Sequence, residues 1–450
     1  MYELKRAGGI ASEAAVLVGV ILPDRPGDEE PLDELSRLAE TSGARVVGRL
    51  TQRRQVPDRT TYLGRGKVEE LKSLVAATDA DVILFDNDLS PAQTRNLEKA
   101  SEVKVLDRTE LILDIFAGRA RSHEARLAVE LAQLQYSLPR LKRMWTHLSR
   151  MKMGIGMRGP GEKQLEVDRR LVERRISDLR RELDTIHRRK ERQVAGRSDR
   201  RTVSLVGYTN AGKSTLLNQL TGSDVRALDE LFATLDTRTR RWQLPGWGPV
   251  LLSDTVGFIR DLPHRLIASF QATLEEARQT DLLLHVADAA SPAVFDQIAA
   301  VYGVLEEVGI EEKDILLALN KIDKIDRTST LDHLLDRYPH ALPISAHTGE
   351  GMPRLATAVS EALSRGFLDV DVETTVDNGR LLAYLAEKGE VLSQRFHGNR
   401  VVVHCRLPEK DLGRLRGKNV EIHTHAAARV IDDVSPSDPQ PLASEMDDVA

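Results

Sequence analysis

The chain runs to 450 residues, 41% hydrophobic and 30% charged, with a net charge of −5, which leaves room for about three domains and describes a soluble globular protein. Cys405 is the only cysteine, so an intrachain disulfide framework is excluded and a reducing cytoplasm is expected. No apolar run reaches the ~18 residues of a membrane helix; residues 14–22 are apolar but close on Pro-Asp-Arg-Pro, the end of a buried strand rather than a signal-peptide cleavage site.

Residues 1–121 alternate strand and helix patterns. Strands are expected at 14–22, 45–50, 81–85 and 103–106, and helices at 31–41, from about Lys67, and at 91–100. That βαβ order predicts a small parallel α/β domain. Two long helical segments follow within 122–200. Leu127, Leu131, Leu134, Leu138 and Leu141 form one apolar stripe; Leu165, Val172, Ile176, Leu179, Leu183 and Ile186 form the other. Both stripes step by threes, fours and sevens on a charged background, as two packed antiparallel helices require. Between them, Gly154, Gly156, Gly159 and Gly161 flank Arg158 and Pro160 and break the helical pattern. The expected shape is a hairpin arm with a Gly-rich tip at 154–161. From Arg140 to Arg201 there are twenty Lys/Arg against nine Asp/Glu, a local charge of +11. On an acidic chain such a segment points to a polyanionic partner.

The βα alternation returns over 201–366, with strands expected at 202–206, 250–253, 281–287, 314–319 and 341–344. Gly207, Tyr208, Thr209, Asn210, Ala211, Gly212, Lys213 and Ser214 match the P-loop pattern between a strand and a helix beginning at Thr215. Glycines there let backbone N–H groups curl round phosphates, and the helix start adds positive potential. Lys213 is expected to reach the β- and γ-phosphates and Ser214 to ligate Mg²⁺. Asp254, Thr255, Val256 and Gly257 follow the next apolar strand; Asp254 is expected to hold Mg²⁺ through water and the Gly257 N–H to sense the γ-phosphate. Asn320, Lys321, Ile322 and Asp323 form the guanine-reading loop. A buried Asp323 carboxylate accepts from the guanine ring N–H and 2-amino group, which adenine cannot offer, and such sites discriminate by ~10⁴ or more. Ser345, Ala346 and His347 follow the next strand, where a backbone N–H suits the guanine carbonyl. These patterns in this order predict GTP and GDP as ligands. The switch threonine lies in Phe232, Ala233, Thr234, Leu235 and Asp236 or just beyond, and spacing leaves Thr234, Thr237 and Thr239 open. Phe258 stands where a glutamine orients water in Ras-like enzymes, so intrinsic hydrolysis is expected to be slow and dependent on a partner. Asn210 either helps bind K⁺ at the arginine-finger position or bonds only within its loop.

A small α+β unit follows at 367–434, with strands near 373–376, 400–405 and 419–424 and helices at 379–387 and 409–415; residues 435–450 read as an acidic disordered tail. Cys405, His404, His423 and His425 fit no zinc spacing, so no metal is expected there. Gly64-Arg65-Gly66-Lys67 is too short for a phosphate loop and reads as a turn into a helix.

Several longer segments make the chain resemble the HflX family of GTPases: 62–67, 107–117, 154–166, 232–236 and 254–258. The resemblance implies that Thr234 is the switch threonine, ligating Mg²⁺ with Ser214, and that Phe258 is a family trait. It also implies binding to rRNA of the large ribosomal subunit, with the arm tip toward the peptidyl-transferase region, by a monomeric cytoplasmic factor that meets membranes only through ribosomes. Splitting or rescue of stalled or idle ribosomes is the leading expectation. A GTPase of tRNA modification or rRNA maturation is the alternative, and a binding switch with negligible catalysis is the third.

Overall fold

The computed structural model describes residues 12–23, 31–144, 160–195, 201–223, 231–232, 237–245, 248–260, 277–278, 280–307, 309–310, 315–325, 328–364, 367–408, 412, 415 and 420–425. The chain separates into two compact units, 1–363 and 364–450, so the three expected amino-terminal domains pack as one body.

That body begins with β1 (Ala14–Ile21), α1 (Asp33–Thr41), β2 (Arg45–Arg53), α2 (Arg65–Thr78), β3 (Val82–Phe85), α3 (Pro91–Ser101) and β4 (Lys104–Asp107). The strands form one parallel sheet in the order β2-β1-β3-β4. β1 and β3 are central and nearly continuous in apolar residues because both their faces are covered. Ser90 accepts from the Gln93 amide and Gln93 returns the bond, a capping box that starts α3 at Pro91. Gly64 precedes α2, so the 64–67 segment is a turn into a helix. The alternation did not predict α4 (Arg108–Arg119), which Asp107 caps by accepting from the Glu110 amide at 2.9 Å.

The arm is α5 (His123–Met144) and α6 (Pro160–Ala195). Leu127, Leu131, Ile176, Leu179 and Leu183 are buried in the seam, flanked by Leu134, Leu138, Val172 and Ile186, so these members of the two stripes meet; the Leu141 and Leu165 side chains lie outside the described residues. α5 continues through Pro139. Pro160 opens α6, which places Gly161 inside that helix rather than in the tip; Gly154, Gly156, Arg158 and Gly159 lie outside the described residues. Much of the arm's charge is paired. Arg175 binds Glu130 across the seam (2.7 Å), and Arg169, Arg170 and Arg188 bind acids one turn away. Arg140, counted with the basic segment, turns instead into the amino-terminal domain: its guanidinium lies 3.4 Å over the Tyr136 ring and bonds Asp107 at 2.9 Å.

The second sheet contains β5 (Thr202–Gly207), β6 (Arg238–Leu244), β7 (Gly248–Asp254), β8 (Leu282–Asp288), β9 (Ile315–Asn320) and β10 (Leu342–Pro343) in the order β10-β9-β8-β5-β7-β6. All pairings are parallel except edge strand β6 on β7. Among the described residues, helices α7 (Lys213–Thr221), α8 (Val294–Glu307), α9 (Thr328–Arg337) and α10 (Met352–Leu363) belong to this doubly wound domain. The carboxyl-terminal unit is an antiparallel sheet of β11 (Phe367–Thr375), β12 (Glu390–His397), β13 (Arg400–Pro408) and β14 (Glu421–Thr424), ordered β12-β13-β11-β14, with α11 (Gly379–Lys388). The expected helix at 409–415 and tail at 435–450 fall largely outside the described residues. No described helix is long and apolar enough to cross a membrane.

Candidate functional site

The carboxyl ends of β5, β7, β8 and β9 converge, as ligand sites in open α/β sheets do. β5 runs into the P-loop at Gly207, whose φ of +151° and distance of 2.1 Å from an ideal Cβ to Val286 O exclude a side chain. At the other end Gly212 has φ +94°, and a Cβ there meets Asn320 Nδ2 at 2.3 Å. Asn210 adopts a left-handed φ of 60°, which asparagine tolerates. The Lys213 ammonium bonds the carbonyls of Gly207 (3.0 Å) and Tyr208 (2.9 Å). Burial pushes it down to about 8, partly offset by Asp254.

Ser214 Oγ donates to Asp254 Oδ2 at 2.6 Å. A hydroxyl beside a carboxylate at a helix start is a hard oxygen set suited to Mg²⁺. Thr255 turns its hydroxyl back to Leu205 O (2.6 Å), and Val256 packs on the shared core. A Cβ on Gly257 meets Thr209 Cγ2 at 2.8 Å and Lys213 Nζ at 3.0 Å, so the two loops are in contact. Phe258 bridges them by backbone, donating to Gly207 O (3.0 Å) and accepting from Thr209 N (2.7 Å).

Asn320 joins the guanine loop to the P-loop: Nδ2 donates to Ala211 O at 2.8 Å, and Oδ1 accepts from Ala346 N at 2.9 Å. Of the backbone groups expected at a guanine carbonyl, the Ala346 amide is therefore engaged, and the Ser345 amide donates to Glu350 O at 3.0 Å. Ser345 Oγ donates to Asp323 Oδ1 at 2.5 Å and fixes that carboxylate. Asp323 is exposed, not buried as the sequence reading supposed, because it sits in the short 3₁₀ turn after β9. Lys321 pairs with Asp288 at 2.7 Å; Ile322 donates to Ile344 O, and His347 is exposed. Thr215 lies in the first turn of α7. Ala233, Thr234, Leu235 and Asp236 lie outside the described residues, while Thr239 lies in β6 opposite Ser253.

The sequence reading missed the amino-terminal domain's grip on this site. Tyr208 turns away from the P-loop: its hydroxyl donates to Glu34 of α1 and accepts from Arg260 N at 2.7 Å. Arg108 lies between Glu34 (2.8 Å) and Asp86 (2.9 Å) and donates to Arg260 O at 3.2 Å. Burial works against its charge, but Glu34 and Asp86 more than offset this and hold it above its ordinary value. Around the ions Leu35, Ile112 and Phe116 share one core with Leu231, Phe232, Phe258 and Ile259. The Phe116 and Phe232 rings meet edge to face at 4.5 Å.

His285 on β8 was also missed. It is fully buried, and neither ring nitrogen has a hydrogen-bond partner among the described residues. Burial, with repulsion from Lys213, pushes it from 6.5 down to about 3. The unfolded chain binds this proton below about 6.5 and the folded chain does not until about 3, so acid favours unfolding across that window. His285→Leu should flatten the loss of stability between those pH values by up to ~1.4 kcal/mol per unit. Denaturant unfolding at a series of pH values reads this, and equal slopes for the two proteins would count against a buried neutral imidazole.

Three family models match in succession: GTP-binding GTPase N-terminal over 29–117, GTP-binding GTPase Middle Region over 119–197, and 50S ribosome-binding GTPase over 202–321. The GTPase HflX of Escherichia coli (strain K12) is 48% identical over 374 residues, covering 82% of this chain and 88% of that protein. The chain belongs to the HflX GTPase family. The HflX of Caldanaerobacter subterraneus subsp. tengcongensis is 44% identical, with 92% and 95% covered. A GTP-binding protein from the archaeon Sulfolobus solfataricus, solved in complex with GDP, aligns at 25% identity and a TM-score of 0.42 over 78% of this chain and 99% of that one. As an HflX-family member with a P-loop GTPase domain, the protein binds and hydrolyses GTP. The 107–117 segment also gains a structural meaning: Asp107 caps α4, Arg108 ties the two domains, and Phe116 packs on Phe232.

Proposed function

We propose that this HflX-family GTPase is a GTP-gated factor of the large ribosomal subunit that splits or rescues stalled or idle ribosomes and is confined to the cytoplasm. The observation that carries the partner is the arm: an apolar seam holds α5 and α6 together, leaving charged outer faces on a segment of net +11. Excess positive charge of this kind suits phosphate contacts, which dominate nucleic-acid affinity. The GTPase-domain family description, "50S ribosome-binding GTPase", agrees.

At the nucleotide, Lys213 holds the β- and γ-phosphates, the P-loop amides from Asn210 to Thr215 cradle them, and the Gly257 N–H reads the γ-phosphate. Ser214 and Thr234 ligate Mg²⁺ and Asp254 holds it through water; when bound, the ion offsets phosphate charge. Asp323, held by Ser345, reads guanine. Phe258 is buried in the interdomain core, so its side chain does not orient the attacking water, and basal turnover is slow. Asn210, already in a left-handed turn, helps hold K⁺.

Measuring GTP turnover with and without large ribosomal subunits, in K⁺ and in Na⁺, tests this reading. Subunits should raise turnover about tenfold or more, equivalent to ~1.4 kcal/mol of transition-state stabilisation, with K⁺ above Na⁺. No stimulation at any subunit concentration refutes the ribosomal reading, and equal rates in the two salts remove K⁺ from it.

A further inference from the structure

The carboxyl-terminal unit carries a side-chain cluster that GTP hydrolysis does not use. Strand alternation sends Val370, Val372, Val401, Val403 and Cys405 into that unit's apolar core. The intervening residues face the other way. Asp371 lies opposite His404 on β13 and opposite His423 on β14, and the His425 N–H donates to Asp369 O at 2.9 Å. β11, β13 and the residue that follows β14 thus bring Asp369, Asp371, His404 and His425 onto one face.

There the His404 Nε2 lies 2.5 Å from Asp369 Oδ1 and the His425 Nδ1 lies 2.8 Å from Asp371 Oδ2. The two imidazoles stack with centroids 3.6 Å apart. One ligand atom each from Asp371, His404 and His425 falls within 4.8 Å of the others. We propose that Asp371, His404 and His425 form a site for a divalent transition-metal ion, with Zn²⁺ the best match.

Two imidazoles and one carboxylate leave a fourth, open position, the donor set of many protein zinc centres. Mg²⁺ and Ca²⁺ prefer all-oxygen sets. Metal-bound histidines usually donate their other ring N–H to a carboxylate; Asp369 occupies that position on His404, leaving Nδ1 for the ion. Ligands of a tetrahedral zinc stand ~3.3 Å apart at bonds of ~2.0–2.1 Å, so small side-chain rotations close the cluster. The side chains are 19–28% exposed, which gives room for them. His423 also faces this side but turns toward Glu421 at 3.8 Å. Sequence spacing concealed the cluster because its ligands come from separate strands. Cys405, beside His404, is no ligand: it points into the core, and burial pushes its thiol up to about 12. An ion here ties edge strand β14 to β11 and β13.

The test uses the full chain with GDP, stripped by chelator, re-supplied with Mg²⁺, and titrated with Zn²⁺ against a chromophoric competitor and with Co²⁺ by visible absorption. The expected result is one ion per chain, a cobalt d–d band, and a rise in melting temperature with added Zn²⁺. His404→Ala, His425→Ala and Asp371→Asn, each made singly, should lose these signals, and Asp369→Asn should weaken Zn²⁺ about 10–100-fold. All four should hydrolyse GTP as the stripped parent does, and a carboxyl-terminal unit as resistant to limited proteolysis as the stripped parent's shows that they fold. No stoichiometric Zn²⁺ or Co²⁺, or undiminished binding by the three ligand variants, overturns the site and leaves two ordinary His–Asp pairs on a sheet surface.

Discussion

Asp323→Asn should weaken GTP by about 10⁴-fold and let xanthosine triphosphate bind in its place. Guanine presents a ring N–H and an amino group, and a carboxylate accepts from both. An amide accepts only through its oxygen and presents its own NH₂ to the guanine amino group. Xanthine carries a carbonyl at that position, which the new NH₂ satisfies. The substitution is conservative for the loop, because Ser345 Oγ bonds Oδ1, an atom the amide retains, and the Lys321–Asp288 pair is untouched. Since Asp323 is exposed, the base itself supplies the burial that makes an unmatched donor costly. Equilibrium binding of the two nucleotides to both proteins decides the matter. A GTP loss under tenfold would place guanine recognition elsewhere.

Arg108→Met should destabilise the amino-terminal body by about 3–5 kcal/mol, the usual cost of removing one partner of a buried ion cluster. The guanidinium is 4% exposed and lies between carboxylates that are themselves 21% and 13% exposed. Without it Glu34 and Asp86 lose the cation they share, Glu34 is left with the Arg260 guanidinium at 3.9 Å, and the Arg260 carbonyl loses its donor. Adding Glu34→Gln should recover part of the loss, because one of the two like charges is gone. The damage reaches the nucleotide loops, since Glu34 also accepts from Tyr208 of the P-loop. Denaturant unfolding of the single and double variants measures this, and a loss below about 1 kcal/mol would mark the cluster as solvated.

What the sequence made legible was local. The P-loop, Asp254–Gly257 and Asn320–Asp323 each lie on a strand end, and the β5, β7, β8 and β9 patterns are continuous apolar runs that a buried parallel sheet imposes. β6 escaped because Arg-Thr-Arg-Arg-Trp-Gln-Leu buries only Trp242 and Leu244 on an edge, and exposed β12 escaped for the same reason. α4 escaped because its residues were legible only as a family segment. The grip on the site was illegible because its partners are remote: Glu34 and Tyr208 are 174 residues apart, Arg108 and Arg260 152. Arg140 shows the reverse error. Charge counting includes it in the basic segment, yet buried Asp107 draws it inward. Phe258 was legible as a missing glutamine, and the structure shows what it does instead, packing between the nucleotide loops and the amino-terminal helices.

In the function we propose, GTP binding commits this protein to the large ribosomal subunit through its arm. Co-sedimentation with purified large subunits at low and moderate salt tests it, with the protein holding either a non-hydrolysable GTP analogue or GDP. The protein should pellet with the analogue and much less with GDP, with pelleting that weakens as salt rises and is lost when residues 154–161 are replaced by a short linker that leaves nucleotide binding intact. Equal pelleting in both nucleotide states, or none at low salt, would contradict it.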